Sequence, residues 1–198
     1  MNEYLNELTL FQTSLAIEYD KKQIDAINSF LDYDLSILTG GPGTGKTTVV
    51  RGMVNLFREL YPNHQIACCA PTGRAAKRLA ELTNVECQTI HSLLKWDLES
   101  NTFGMNEENP LNVDCLIIDE FSMVDAYLFA ALCKASSNVK KIVIIGDEDQ
   151  KPIGLCGSGI IDVISELFRC GIINPKGKVY FNLWCTNNVY RHDEPSDV

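Results

Sequence analysis

The hydrophobic positions of this chain fall into two kinds of segment that alternate along its length. Short runs of consecutive apolar residues are typical of strands buried on both faces, and apolar residues three and four apart are typical of amphipathic helices. The predicted strands are Leu35–Thr39, Gln65–Ala70, Cys115–Asp119, Lys141–Gly146 and Lys178–Leu183. The predicted helices are Tyr19–Leu31, Lys46–Leu60, Gly73–Leu82, Thr89–Trp96, Asp125–Ala135 and Ser158–Phe168. The polar segment 97–112 is predicted to be a loop or small hairpin.

Strands that alternate with helices indicate an α/β fold with a mostly parallel sheet and helices on both faces. Ligands of such sheets bind at the carboxyl ends of the strands. Three polar clusters follow predicted strands: the glycine-rich residues after Thr39, the acids after Ile118 and the segment Gly146–Gln150. We therefore expect these clusters to meet at one edge of the sheet.

Several predicted helices begin at a residue that can cap them. Asp20 precedes the first helix, with Gln23 three residues later in the spacing of a capping box. Thr72 and Asp125 are suitable N-caps for the helices that follow them.

Composition and charge limit the class of protein. The chain has 198 residues, with 45% hydrophobic and 22% charged residues, which is ordinary for a globular protein. It has no apolar run of membrane-spanning length and no signal-like start, and its eight cysteines form no C-x-x-C pair, so we expect a cytoplasmic protein without a zinc site or disulfide framework. The net charge of −9 argues against coating nucleic acid by bulk charge, although it permits a local basic groove.

The segment "LTGGPGTGKTTVV" matches the spacing G-x-x-x-x-G-K-[ST] of a phosphate-binding loop between a strand and a helix. Glycines let backbone N–H groups converge on an anion, and the positive end of the following helix points at the same place. Lys46 is expected to reach the β- and γ-phosphates, and Thr47 to bind Mg²⁺. The candidate nucleotide-binding residues of this segment are Gly41, Gly43, Thr44, Gly45, Lys46, Thr47 and Thr48.

Acidic and amide side chains at the other strand ends complete the predicted chemistry. Asp119 follows a hydrophobic strand and is expected to hold Mg²⁺, and Glu120 is expected to orient or deprotonate the attacking water. Gln150 is a candidate contact to the γ-phosphate. Lys46, Glu120 and Gln150 are therefore candidate catalytic residues, and ATP and Mg²⁺ are the expected cofactors.

The segments "GGPGTGKT", "APTGRAAKRL", "TIHSLLKW", "NEENPLNVDCLIIDEFSMVD", "GDEDQKP" and "NVYRHDEPSDV" occur in this order. They resemble the consecutive motifs of the RecD-like branch of superfamily 1 DNA helicases, from about Tyr19 to the end of the chain. The resemblance implies a RecA-like fold that couples ATP hydrolysis to movement along single-stranded DNA. It also implies that Gln23 reads adenine and that Arg191 reaches the γ-phosphate as a further catalytic residue.

The same resemblance implies a path for single-stranded DNA. The residues that match segments lining this path are Pro71, Thr72, Gly73, Arg74 and His91, with Lys77 as a further candidate. Phe103 lies where relatives carry a small strand-separating hairpin and is expected at its tip. Without the resemblance, a solvated helix face is the favoured interpretation of Arg74, Lys77 and Arg78. His91 is then equally a structural histidine, and packing is favoured over base stacking for Trp96.

The chain departs from the family pattern in its last quarter. Lys151 replaces an apolar residue in a loop with altered glycine spacing, and His192 replaces the usual glutamine after Arg191. We expect residues 1–198 to form a single RecA-like ATP-binding domain, with 1–18 as a lead-in and 97–112 as a small insertion. A second motor domain is expected to be absent, so the isolated chain is expected to be weakly active or inactive. Single-stranded DNA is the expected partner, with other helicase or nuclease subunits as further candidates. A small-molecule kinase and a binding module without turnover are the alternatives.

Overall fold

A computed structural model describes residues 19–41 and 43–146. Their core is a sheet of five parallel strands in the order β1-β7-β6-β2-β3, and β4 and β5 form a separate antiparallel pair. The strands are β1 (Leu35–Thr39), β2 (Ile66–Ala70), β3 (Cys87–Thr89), β4 (Trp96–Asp97), β5 (Thr102–Phe103), β6 (Cys115–Ile118) and β7 (Lys141–Gly146). The helices are α1 (Lys21–Asp32), α2 (Lys46–Leu60), α3 (Gly73–Thr83), α4 (Ile90–Leu93) and α5 (Ala126–Ala135), with a 3₁₀ turn at Phe121–Met123.

The sheet is covered on both faces, because successive strand residues point to opposite sides. In β6, Cys115 and Ile117 pack into a core formed with α1, α2 and α3, whereas Leu116 and Ile118 pack into a core formed with α4 and α5. All four side chains are almost completely buried. This arrangement confirms the predicted α/β class with a parallel sheet and helices on both faces.

The end of the sheet where the strands begin, here called the amino edge, is held by side chains that bond separate elements together. The Asp114 carboxylate, just before β6, accepts from the Gln65 backbone N–H at 2.8 Å and pairs with the Lys140 ammonium at 2.8 Å. Lys141 at the start of β7 donates to the carbonyl oxygens of Phe30, Leu31 and Tyr33 at 2.8, 3.0 and 2.9 Å. It thereby satisfies the end of α1, and its partial burial lowers the pKa of its ammonium group.

Several local predictions are confirmed. β1, α2 and β7 have the predicted bounds, and Thr72 and Asp125 cap α3 and α5. The capping box of α1 is complete, because the Gln23 N–H donates to Asp20 Oδ1 at 2.9 Å and the Asp20 N–H donates to Gln23 Oε1 at 3.1 Å.

Three local predictions need correction. The helix predicted over Thr89–Trp96 spans only Ile90–Leu93, because Lys95 takes a left-handed conformation with φ 54° and Trp96 enters a strand. The strand β3 was not predicted, since three residues are too few to show a hydrophobic pattern. The segment 97–112 does contain a hairpin, but Phe103 pairs with Trp96 at its base, so the expected position of Phe103 at the tip is wrong.

Other predictions fall outside the described residues. They concern the lead-in 1–18, the helix at Ser158–Phe168, the strand at Lys178–Leu183 and the altered loop around Lys151. Among the residues that the structure describes, no helix is both long and apolar enough to cross a membrane.

Candidate nucleotide-binding site

The segment between β1 and α2 has the backbone that a phosphate-binding loop requires. Gly43 and Gly45 have φ values of +77° and +81°, which side chains other than glycine rarely adopt. The Thr44 hydroxyl donates to the Gly41 carbonyl oxygen at 2.9 Å and holds the turn. Gly45 is the N-cap of α2 and provides no side-chain cap, and the first turn of the helix contains no acidic residue. The start of α2 therefore offers backbone N–H groups and a positive dipole end to an anion.

The Lys46 side chain folds back over this loop. Its ammonium group donates to the carbonyl oxygens of Gly40 and Gly41, the latter at 3.0 Å. A cation is thus held within the turn of the loop, where a bound phosphate would be attracted to it. Thr47 and Thr48 follow in the first turn of α2 and line a cleft beside the loop.

Gln23 lies against the loop beside Gly45. A Cβ atom built on Gly45 would lie 2.6 Å from Gln23 Nε2, so only glycine permits this approach. The Gln23 carbonyl oxygen takes part in the capping box of α1, and the amide nitrogen faces the loop. The box therefore fixes the position of an amide donor beside the candidate nucleotide.

The acidic pair follows β6 at the carboxyl end of the sheet, here called the carboxyl edge. The Asp119 N–H donates to the Cys69 carbonyl oxygen at 2.9 Å, and Asp119 Oδ1 accepts from the Glu120 N–H at 2.8 Å. Glu120 has a left-handed backbone with φ 50° and begins the 3₁₀ turn, whose Phe121 is buried. Such a conformation is unfavourable for a non-glycine residue, and it is found where function constrains the backbone.

The phosphate loop and the acidic pair line one cleft, whereas Gln23 contacts the loop without lining that cleft. The walls of the cleft are formed by the loop and α2 start (Gly43, Thr44, Gly45, Lys46, Thr47, Thr48, Val50), by α3 (Arg78, Leu79, Leu82) and by the strand ends (Asp119, Glu120, Ile145, Gly146). The structure therefore brings together the predicted phosphate loop, the predicted metal ligands Thr47 and Asp119 and the predicted base Glu120. The expectation that polar strand ends converge on one edge holds for both clusters that lie in the described residues.

The residues present fit a nucleotide with Mg²⁺. Two left-handed glycines, an uncapped helix start and a lysine suit the phosphates, and a hydroxyl with a carboxylate suits a cation that keeps several water ligands. Among the described residues, no group of three or more His, Cys, Asp or Glu side chains is arranged for a metal. Burial raises the pKa of the Cys69 thiol beside this site, so Cys69 stays protonated.

Arg78 is a cleft residue that sequence reasoning did not assign to the nucleotide. It had been grouped with Arg74 and Lys77 as one basic helix face, but only Arg78 of these three lines the cleft. Its side chain is exposed. Arg74 lies at the start of α3, whereas Arg78 lies further along the helix with Leu79 and Leu82, and this later part of α3 borders the cleft.

The candidate DNA residues in the described part lie along the carboxyl edge. Pro71 and Thr72 follow β2, and the Thr72 hydroxyl accepts from the Ala75 N–H at 3.2 Å. Arg74 and Lys77 are exposed on α3, and His91 is exposed on α4 directly after β3. Phe103 is half-buried on β5. The predicted catalytic residues Gln150 and Arg191 lie outside the described residues.

Comparison with known proteins identifies the family. Residues 23–155, more than half of the chain, match the family model described as "AAA domain". This chain belongs to that family. A second model, described as the C-terminal domain of RACo, the ASKHA domain, matches residues 130–197, a minority of the chain.

Curated relatives of this AAA-domain chain are RecD-like helicases. The chain is 36% identical over 132 residues to the ATP-dependent RecD2 DNA helicase of Deinococcus radiodurans, covering 67% of this chain and 18% of that protein. It is 33% identical over 178 residues to the RecBCD enzyme subunit RecD of Mycolicibacterium smegmatis, covering 79% of this chain and 32% of that protein. These relatives confirm the RecD-like resemblance and the membership of an ATP-dependent DNA helicase family. The chain spans a third or less of the length of both relatives.

A solved structure agrees with this placement. The Pif1 helicase of Candida albicans superposes with a TM-score of 0.54 at 26% identity, covering 69% of this chain and 34% of that one. The shared part is a helicase motor fold, which confirms the RecA-like class predicted from the order of strands and helices.

Proposed function

We propose that this chain is the ATP-binding motor domain of a RecD-like DNA helicase, and that it couples ATP hydrolysis to movement on single-stranded DNA when joined to a second motor domain. The observation that carries the proposal is the single cleft shared by the phosphate loop and the Asp119–Glu120 pair. The names of its relatives support DNA as the substrate.

The loop residues bind and orient the triphosphate. Backbone N–H groups at the start of α2 donate to phosphate oxygens. When the phosphates bind, the Lys46 ammonium group gives up its hydrogen bonds to the carbonyl oxygens of Gly40 and Gly41 and donates to phosphate oxygens instead. Thr47 and Asp119 would hold Mg²⁺, which supplies positive charge for the phosphates when bound. The amide of Gln23 would recognise the adenine, since it lies beside the loop.

Glu120 orients the attacking water or removes its proton. The left-handed backbone of Glu120 and the hydrogen bond from its N–H to Asp119 Oδ1 fix the position from which the Glu120 side chain extends. Gln150 and Arg191 are proposed to contact the γ-phosphate, on the resemblance alone. Phosphoryl transfer depends on charges held in the correct positions, so each of these groups contributes to hydrolysis through the position of its charged or polar atoms.

DNA is proposed to bind along the carboxyl edge. The proposed contacts are Pro71, Thr72, Arg74 and Lys77 after β2, His91 after β3, and Phe103 in the hairpin. Arg74 and Lys77 would contact phosphates, and Lys95 is an exposed third cation. The net charge of −9 predicts weak binding that is sensitive to salt. Relatives named as subunits of RecBCD support helicase or nuclease subunits as proposed partners, and the cytoplasm as the proposed location.

The test compares ATP binding and ATP hydrolysis with and without single-stranded DNA, for the wild type and for Lys46→Ala. The variant removes charge-assisted hydrogen bonds of about 1.5–3 kcal/mol, so ATP affinity should fall roughly ten- to hundredfold. Titration with a fluorescent ATP analogue measures this loss, and circular dichroism checks that the variant is folded. An unchanged affinity in the folded variant contradicts the phosphate-loop assignment.

The hydrolysis assay separates the alternatives. Stimulation of turnover by single-stranded DNA supports the motor. Tight ATP binding without turnover, also in a version extended by a second motor domain, supports a binding module instead. Turnover that requires a small-molecule acceptor supports a kinase.

A further inference from the structure

Four aromatic side chains, one each from α4, β4, β5 and α5, form a row, here called the aromatic row: His91, Trp96, Phe103 and Tyr127. The ring centroids of Trp96 and Phe103 are 4.6 Å apart, and those of Phe103 and Tyr127 are 5.8 Å apart. The His91 ring lies 6.1 Å from Trp96 and 6.0 Å from Phe103. All four distances are within the range of aromatic contacts.

The outer end of the aromatic row is open to solvent. Tyr127 is 63% exposed and His91 is exposed, while Trp96 and Phe103 are half-buried. Tyr127 lies beside the buried stripe of α5, which consists of Leu128, Leu132 and Ala135. An exposed tyrosine that extends a partly exposed aromatic cluster is more than the helix needs for packing and is typical of an interaction site.

The backbone holds these rings in place before any partner arrives. The Gly104 N–H donates to the Lys95 carbonyl oxygen at 3.1 Å, and the Met105 N–H donates to the Leu94 carbonyl oxygen at 3.0 Å, which fastens the hairpin to α4. Tyr127 is in the first turn of α5, capped by Asp125. Prepositioned rings lose little conformational entropy when a partner binds.

The aromatic row continues the candidate DNA path. His91 follows the carboxyl end of β3, and Tyr127 follows that of β6 through the 3₁₀ turn, so both are on the edge that carries Arg74 and Lys77. Lys95 is exposed directly before Trp96. The acids Asp97 and Glu99 at the hairpin turn repel phosphates, so a bound backbone would run on the side of the cations and direct its bases to the rings.

We propose that the aromatic row is a stacking platform for the bases of single-stranded DNA, in which Tyr127 presents the outer ring and Phe103 with Trp96 supports it from behind. The proposal rests on the proposed function, which supplies DNA as the occupant. Aromatic side chains that carry stacked bases beside a basic path are the usual means of binding single strands without sequence preference. A protein surface is the competing occupant and is treated as an outcome of the test.

The experiment measures binding of a labelled oligo(dT) by fluorescence anisotropy at several salt concentrations. Tyr127→Ala should weaken binding by about five- to hundredfold, the range for loss of one stacked base. Because a ring carries no charge, the dependence of affinity on salt should keep its slope. Arg74→Ala or Lys77→Ala should instead reduce the log–log slope by about 0.7 per lost phosphate contact.

Matched variants make the effect specific. Tyr127→Phe keeps the ring and should bind within about twofold of the wild type, since stacking does not need the hydroxyl. Tyr33→Ala removes another exposed tyrosine, 43% exposed at the end of α1, and should leave binding unchanged. An oligonucleotide without bases tests stacking directly: the wild type and Tyr127→Ala should bind it equally. Melting curves confirm that each variant is folded.

The outcomes separate the platform from the proposed function. If Tyr127→Ala binds oligo(dT) as the wild type does while Arg74→Ala and Lys77→Ala weaken binding, the platform is wrong and the DNA path stands. If the variant weakens binding to the strand without bases as strongly as to oligo(dT), stacking is also overturned. If the wild type does not bind DNA at all, the proposed function and the platform fail together.

Discussion

At the amino edge of the sheet, charged side chains bond one element to another, whereas at the carboxyl edge Lys46, Asp119 and Glu120 line a cleft. Asp114 joins the residues before β2, β6 and β7, and Lys141 joins β7 to α1. At the opposite end of the sheet, Glu120 has a left-handed backbone, which is unfavourable for a residue other than glycine. One edge contributes to stability and the other accepts unfavourable geometry to form a site. Substitutions at the two edges should therefore have separable effects.

The largest effect is expected from Glu120→Gln. The variant keeps the size of the side chain but cannot accept a proton, so single-turnover ATP hydrolysis should fall about 10²- to 10⁴-fold. ATP affinity and the melting temperature should stay close to wild type, because glutamine keeps the size and the hydrogen-bonding atoms of this half-buried side chain. A large fall in melting temperature would show that the carboxyl edge also holds the fold together, which contradicts the division between the edges.

Asp114→Asn is expected to show the opposite pattern. Loss of its charge-assisted bonds at a partly exposed site should lower the free energy of unfolding by about 1 kcal/mol, or roughly 2–4 °C in melting temperature for a chain of this size. ATP affinity should be unchanged. Thermal unfolding together with nucleotide titration measures both quantities. A loss of ATP affinity without a loss of stability would place function at the amino edge.

The same variant has an expected pH dependence. The hydrogen bond from Lys140, followed by that from the Gln65 N–H, lowers the pKa of Asp114 in the folded protein. The folded state therefore binds fewer protons than the unfolded state, and the stabilisation is present above the unfolded pKa of about 3.9. It is lost as the pH falls through the lowered folded pKa. Wild type and Asp114→Asn should differ in stability at neutral pH and converge in acid.

The smallest effect is expected within α3. Arg78→Ala removes an exposed positive charge from the cleft, so ATP affinity should fall by up to about fivefold, as for an exposed ion pair. Lys77→Ala is the matched control, since it removes a neighbouring exposed cation that does not line the cleft. Fluorescent-nucleotide titration of both variants at low salt measures the difference. Equal losses would mean that α3 acts through its general charge.

The nucleotide site was largely predictable, because residues that are neighbours in the sequence determine its local structure. The spacing of glycines, Lys46 and Thr47 determines a strand, a loop and a helix, and the structure has β1 and α2 with the predicted bounds. The capping box of Asp20 and Gln23 is equally a matter of neighbouring residues. The parallel sheet then brings Asp119 and Glu120 to the loop, because all its strands end at one edge.

The complete aromatic row was not predictable, because Tyr127 lies on a separate helix, 24 positions after Phe103. Nothing local relates Tyr127 to Phe103, and a shared contact appears only when α5 packs beside the hairpin. The position of Tyr127 off the apolar stripe of α5 was the one available signal. The strand order and the three-residue β3 depend likewise on tertiary pairing, and the turn at Lys95 that shortens α4 requires a left-handed residue with no glycine to mark it.

The bonds from Lys141 to the end of α1 have a consequence for the order of folding. α1 has no basic residue in its last turn and ends at Tyr33 in an extended conformation, so neighbouring residues give its carbonyl oxygens no side-chain cap. The lysine that satisfies them is 108 to 111 positions further along the chain. Closing so long a loop is slow compared with forming a helical turn. We therefore expect the end of α1 to fray during synthesis until β7 has joined the sheet, so that α1, the first helix among the described residues, is completed late.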